Sequence, residues 1–203
     1  MIRNLRAILA GCVIFTMLSF FFACGAHSKV VVDAQRGDQD LTIYGDQHFD
    51  GLGYPVFAAD INGDGIKDII VSATASDGPG HSEINRGAIY IIFGKSSQPI
   101  SLRLPEGADL VIYGVEHGIN GVEGDEAGYT LASADLNGDG IQDLIISAIY
   151  GDGPGNTRPD AGEVYIIYGR RTWPKEMYLS IDADVIIYGA NGGQGGDPQN
   201  PEK

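Results

Sequence analysis

Cysteine is nearly absent from this chain of 203 residues. Of the two present, Cys12 lies inside an apolar N-terminal run and Cys24 stands alone after it, which excludes a disulfide framework. Positive charge is scarce as well. Thirteen Lys and Arg face 27 Asp and Glu, a formal net charge of −14, and a surface of that sign repels nucleic acid and anionic lipid. The four histidines, His27, His48, His81 and His117, show no i, i+2 or i, i+4 pairing of the kind that builds a zinc site, and are expected to be solvated. Gly-x-Ser-x-Gly, a P-loop and a dinucleotide fingerprint are all missing. The glycine-rich stretch Gly189 to Gly196 has no apolar helix after it, so it reads as a surface loop and not as a phosphate cradle. Clustered carboxylates do occur, but they are better used by a metal than by acid/base chemistry. An enzyme is not expected.

Only one long apolar run exists, from Ala7 to Ala23, broken at Thr16 and Ser19 and preceded by Arg3 and Arg6. That is the charged and apolar anatomy of an export signal over residues 1–23. A retained membrane anchor is the rival, for which the run is slightly short. Phe21-Phe22-Ala23-Cys24 resembles a bacterial lipobox, in which Cys24 becomes the lipidated first residue and holds the protein on a membrane. It departs at Phe21, where Leu is usual, and at Phe22, where a small residue is usual; ordinary cleavage after Ala26 is the alternative. The protein is thus expected in the cell envelope or outside it. A linker, residues 24–39, contains Arg36-Gly37-Asp38, a tripeptide that some animal integrins recognise and that arises by chance in roughly one chain in twenty of this size.

What the chain has in abundance is glycine, 30 residues, interleaved with short β-branched runs, which points to a turn-rich all-β protein with one sizeable core. Two stretches dominate. Asp60-Ile61-Asn62-Gly63-Asp64-Gly65-Ile66-Lys67-Asp68 recurs as Asp135-Leu136-Asn137-Gly138-Asp139-Gly140-Ile141-Gln142-Asp143. Ca²⁺ takes six to eight oxygen ligands, and each loop offers side-chain oxygens at positions 1, 3, 5 and 9: Asp60, Asn62, Asp64 and Asp68, or Asp135, Asn137, Asp139 and Asp143. The backbone carbonyl of Ile66 or Ile141 adds a fifth. Gly65 and Gly140 permit the sharp turn by allowing φ > 0. Without metal the carboxylates repel by roughly 3 kcal/mol per pair at ~5 Å and an effective dielectric of ~20, so loop shape and metal should be coupled. An EF-hand would need a bidentate Glu at position 12 and flanking helices. Position 12 is Val71 or Ile146, within runs suited to strands. The loops therefore sit in β-hairpins. A plain tight turn is the bland alternative, but six fixed positions arise by chance at on the order of 10⁻⁷ per start site, and here they arise twice.

The two copies lie in one repeat. Asp60 to Asp135, Gly87 to Gly162 and Asp109 to Asp184 are each 75 apart, a period that marks repeated supersecondary units. Four strands are expected in each unit: Tyr54 to Ala59, Asp68 to Ala73, Gly87 to Gly94 and Ala108 to Gly114 in the first, and Tyr129 to Ala134, Asp143 to Ala148, Gly162 to Gly169 and Ala183 to Gly189 in the second. A polar loop opening Asp-Gly-Pro-Gly, at Asp77 and at Asp152, joins the second strand to the third. Asp40 to Tyr44 matches a fourth strand with no unit before it. Four-stranded units at a fixed period suit a β-propeller, whose blades bury their faces on one another.

Gly53-Tyr54, the loop and strand through Ala73, and Gly87 to Gly94, with their second copy from Gly128-Tyr129, resemble the FG-GAP repeat of the integrin α-subunit propeller and its bacterial relatives, over roughly residues 40–189. The chain has Ser72-Ala73-Thr74 and Ser147-Ala148-Ile149 where that family has Gly-Ala-Pro. The resemblance implies a partial propeller with two complete blades, about 49–114 and 125–189, an orphan N-terminal outer strand, and calcium on Asp60, Asn62, Asp64 and Asp68 and on the matching residues of the second loop. It implies a calcium-stabilised module for adhesion or protein interaction, with an unnamed protein or surface ligand as partner. The alternatives are an accessory propeller of a secreted, phospholipase-like hydrolase and a structural surface lipoprotein. Because a third loop falls due just after Lys203, the tail 190–203 is expected to be cut short, and the exposed blade faces to associate with further blades or with one another.

Overall fold

Short runs of Ile, Val and Tyr between glycines leave the backbone little choice but extended segments joined by tight turns. The computed structural model describes residues 41–81, 84–97, 101–115 and 124–191, all within the unit Gln39–Lys203. The expected signal, Cys24, the linker with Arg36-Gly37-Asp38, His27, His117 and residues 192–203 of the tail lie outside the described residues. Along the chain come β1 (Thr42–Tyr44), β2 (Leu52–Ala59), β3 (Asp68–Ala73), β4 (Ala88–Ile92), β5 (Ser101–Arg103), β6 (Leu110–Tyr113), β7 (Leu131–Ala134), β8 (Asp143–Ala148), β9 (Glu163–Ile167), β10 (Glu176–Tyr178), one turn of helix, α1 (Leu179–Asp182), and β11 (Val185–Tyr188).

The architecture is all-β and has two blades. In the first, β2, β3, β4 and β6 pair antiparallel in that order, with Phe57 opposite Ile70, Ile70 opposite Ile91 and Ile89 opposite Ile112. The second repeats it with β7, β8, β9 and β11, with Ala132 opposite Ile145, Ile145 opposite Ile166 and Ile166 opposite Val185. Pro55 falls in β2, which among the described residues pairs only with β3, an edge position where a missing N–H is tolerated.

Side chains alternate between the two faces of each blade. On the front face of the first blade, Ile70, Ile89, Ile91, Leu110 and Ile112 are all fully buried. They meet Leu144, Ile146, Ala148, Tyr165 and Ile167 from the rear face of the second blade, and the two sets form one core. On the rear face of the first blade, Val71, Tyr90, Ile92, Val111 and Tyr113 form a second core, against which Ile43 of β1 and Leu102 of β5 pack.

One expectation needs correcting. The fourth strand was expected to close each unit, yet β6 carries a further neighbour: β10, from the connection between the third and fourth strands of the second blade, runs parallel to it with Met177 opposite Ile112. The same relation joins β5 to β1, with Leu102 opposite Ile43. Each added strand is three residues long and buries its middle apolar side chain more than its first residue, too short a pattern to show periodicity. Aromatic and cationic groups line these seams: the Tyr113 and Tyr178 rings lie 5.5 Å apart, Arg86 sits 5.2 Å above Tyr178, and Arg103 sits 5.4 Å above Tyr44.

Candidate metal centres

Each Asp-rich loop joins the first strand of a blade to the second, and its backbone is folded around the side chain at position 1. Asp60 Oδ1 accepts from the N–H of Gly63 at 2.7 Å and of Asp64 at 3.2 Å, and Oδ2 accepts from Gly65 N–H at 2.8 Å. Asn62 Oδ1 accepts from Asp64 N–H at 2.9 Å, Asn62 Nδ2 donates to Asp64 Oδ2 at 3.1 Å, and Asp64 Oδ1 accepts from Ile66 N–H at 2.7 Å. The second loop repeats the pattern on Asp135, Asn137 and Asp139 to within 0.2 Å. The sharp turn rests on left-handed glycines at position 6, Gly65 at φ +87° and Gly140 at φ +89°, a region closed to most other residues.

The acid at position 9 does something different. Asp68 and Asp143 are fully buried at the start of the second strand. Asp68 Oδ2 accepts from Ile61 N–H at 3.0 Å and Oδ1 from Gly94 N–H at 2.9 Å. Asp143 does the same with Leu136 at 2.8 Å and Gly169 at 2.8 Å. Burial pushes the Asp68 carboxyl up; the bonds from Gly94 and Ile61 pull it down, and Asp64 and Asp60 push it up again. Gly94 and Gly169 end the third strands, and a Cβ there would stand 2.4 Å from Lys67 O and 2.5 Å from Gln142 O respectively. The strand-ending glycine is therefore a spatial requirement of the loop it touches.

The two loops lie side by side. Gln142 N–H donates to Asp60 O at 3.2 Å and Arg170 N–H to Ile61 O at 3.1 Å. Ile61 is buried, while its counterpart Leu136 is 50% exposed, so the second blade covers the first loop more than anything among the described residues covers the second, and the Gln142 bond joins the two loops to each other. The donor chemistry suits a hard cation, since all five positions present oxygen and each Asp has at least one carboxylate oxygen that holds a single N–H and keeps a free lone pair. Among the described residues, no three His, Cys, Asp or Glu side chains are gathered closely enough to hold an ion by themselves. The asparagine and carbonyl positions would have to share the work. His48 is exposed.

A second group of acids lies at the opposite end of the second blade, where the Asp-Gly-Pro-Gly loop begins. Asp125, Asp152 and Glu163 are buried there. Glu163 Oε1 accepts from Gly153 N–H at 2.9 Å, Tyr165 OH donates to Glu163 Oε2, and Asp152 Oδ1 accepts from Asp160 N–H at 2.9 Å. Burial, reinforced by Glu163, Asp152 and Asp160, pushes the Asp125 carboxyl up to about 7, and burial with the bond to Glu163 pushes the Tyr165 hydroxyl up. The first blade has Ala88 and Arg86 where the second has Glu163 and Ala161. Comparing the copies position by position was the available signal for this corner.

The two-blade fold, with its hairpin loops and its glycine-terminated third strands, is that of a partial β-propeller. Residues 127–167 match the family model described as FG-GAP repeat, and the chain is an FG-GAP repeat protein. It is similar to phosphatidylinositol-glycan-specific phospholipase D of Rattus norvegicus, 35% identical over 58% of this chain and 13% of that protein. The Homo sapiens protein of the same name is 33% identical over 48% of this chain and 11% of its own length, and that of Bos taurus 33% identical over 67% and 15%. The chain thus spans 11% to 15% of the length of these three relatives.

Proposed function

We propose that this protein is an exported, calcium-braced interaction module, in which the propeller blades present loops to a protein or surface ligand and the ions stiffen the rim. The observation that carries this reading is the repeated loop: two oxygen-only donor sets in one backbone conformation, each tied by its position-9 acid to the end of the third strand of its own blade. Ca²⁺ would be held by Asp60, Asn62, Asp64, Asp68 and the Ile66 carbonyl, and by Asp135, Asn137, Asp139, Asp143 and the Ile141 carbonyl. The ion would supply charge neutralisation and rigidity and no chemistry. Export follows from the N-terminal signal and attachment from a lipidated Cys24. Among the described residues no helix is long and apolar enough to cross a membrane.

Titration calorimetry tests the reading. Two calcium equivalents are expected, with affinities of about 10⁻⁴ to 10⁻³ M, the range of extracellular modules. No heat, and no calcium-linked rise in melting temperature, would reject it.

The relatives favour a second reading, that of accessory blades serving a secreted hydrolase, since the matched proteins are named as phospholipases and the similarity is confined to a fraction of their length. Recovery of a hydrolase bound to the native protein would favour this reading, and recovery of a surface ligand the first.

A further inference from the structure

We propose that the front face of the second blade, together with the open outer edge of β11, docks onto the rear of the first blade in a second copy of this chain, in the place that β1 occupies there. Two independent features of the repeat carry the inference.

The first is an apolar face that its own counterpart shows how to cover. Ile145, Val164, Ile166, Val185 and Ile187 stand 75 positions after Ile70, Ile89, Ile91, Leu110 and Ile112. The earlier five are fully buried against a neighbouring blade. The later five are only half-buried or, for Ile187, 53% exposed. The second is a strand edge. β1 and β6 each take a parallel strand on the outer side, whereas β11 pairs with β9 alone among the described residues.

A second copy offers a place that fits both. Thr42-Ile43-Tyr44-Gly45 and Ile186-Ile187-Tyr188-Gly189 are versions of one strand, so β11 could take the partner's β5 in the register that β1 uses, with Ile187 where Ile43 now faces Leu102. The site is underfilled at present. A groove of about 360 Å³, lined by Leu41, Ile43, Leu52, Val56, Ile69 and Val71, runs beside β1. Val56 is 58% exposed, while Leu131, its counterpart under a whole blade, is half-buried.

β1 therefore acts as a tethered plug. Tethering gives it a local concentration in the roughly millimolar range, but it is three residues long, and a four-stranded face that excludes water over a larger apolar area can displace it as protein concentration rises. The contact is head to tail, so each joined copy still presents a front face and growth continues until a ring closes.

Sedimentation of the exported chain, in a Cys24→Ser background that removes any lipid, tests this, with circular dichroism to verify that each variant keeps its β-structure. The parent should associate reversibly. Ile43→Asp, which loosens the plug, should lower the midpoint concentration about tenfold or more. Ile187→Asp and Leu102→Asp, blocking the front and the rear respectively, should each be monomeric alone, and their equimolar mixture should form a complex that stops at two copies. A mixture that stays monomeric overturns the proposal. So does association by Leu102→Asp equal to that of the parent, which would mean front-to-front pairing, and so does an Ile43→Asp chain that remains monomeric at the highest concentration reached.

Discussion

Asp143 and Gly169 are 26 positions apart, and the Gly169 N–H donates to Asp143 Oδ1 at 2.8 Å inside the protein. That bond ties the end of the third strand to the loop that opens the second, and it needs a residue without a side chain at 169. Gly169→Ala should cost roughly 2–3 kcal/mol, the upper part of the range for overpacking, because the new Cβ meets Gln142 O at 2.5 Å. Gly140→Ala meets nothing within 4 Å and should cost only about 1–2 kcal/mol, for its left-handed φ. Urea midpoints of the two variants, measured without calcium, should fall in that order.

Positions 5 and 9 of a loop should separate under the same conditions. Asp139 is exposed, and Asp139→Ala should change stability by less than about 1 kcal/mol in the absence of calcium. Asp143→Ala strands the Gly169 N–H in a buried setting, at about 1–3 kcal/mol, and frees the part-buried Leu136 N–H at a smaller cost. Calorimetry should show both variants without binding at the second loop and with binding retained at the first. Equal loss of stability would mean that position 9 has no structural role of its own.

The two calcium affinities should differ. The Gln142 bond is shared by the two loops, but the Arg170 bond and the burial of Ile61 hold the backbone of the first alone, so it loses less freedom on binding, and it should be the tighter site. Assigning each heat by comparing Asp64→Ala with Asp139→Ala gives the answer, and a weaker first loop would contradict the bracing.

Stability should depend on pH through the acid corner of the second blade. Asp125 is pushed up to about 7 in the folded protein by burial, then by Glu163, Asp152 and Asp160, against about 3.9 when unfolded. Between these values the folded state binds the extra proton, so stability should fall as pH rises from about 4 to about 7 and level off above. Melting temperatures taken with a chelator present should decline over that window, and Asp125→Asn should flatten the decline.

Attachment is tested apart from the fold. Cys24→Ser should release the protein from membranes into the soluble fraction. An unmodified mature N-terminus at His27 by mass spectrometry would instead mean ordinary export.

The blades were legible because their signals are redundant. Ile69-Ile70-Val71 and Leu144-Ile145-Ile146 read as strands by themselves, and the offset of 75 aligns the four strands of one unit with those of the other. The loop acids were legible for the same reason, since alternate oxygens around a glycine have few other uses. Ser101-Leu102-Arg103 and Glu176-Met177-Tyr178 were not, because one apolar residue in three carries no period and their partners lie across a blade boundary. Glu163 was hidden in a run that otherwise reads as apolar. The burial of Asp68 was hidden too, since nothing in the spacing shows that the acid at position 9 also accepts from Gly94 N–H.

β10 belongs by sequence to the second repeat and by hydrogen bonding to the sheet of the first. Covalent repetition and folding cooperativity are therefore out of step by one strand. The second blade cannot unravel without tearing an edge from the first, and the first cannot complete its sheet until the chain as far as Tyr178 has been made. A polypeptide built of two near-copies should in consequence melt in one transition, and a force pulling at β11 would meet its pairing with β9 first and then load the β6–β10 seam, passing the strain from the second blade to the first.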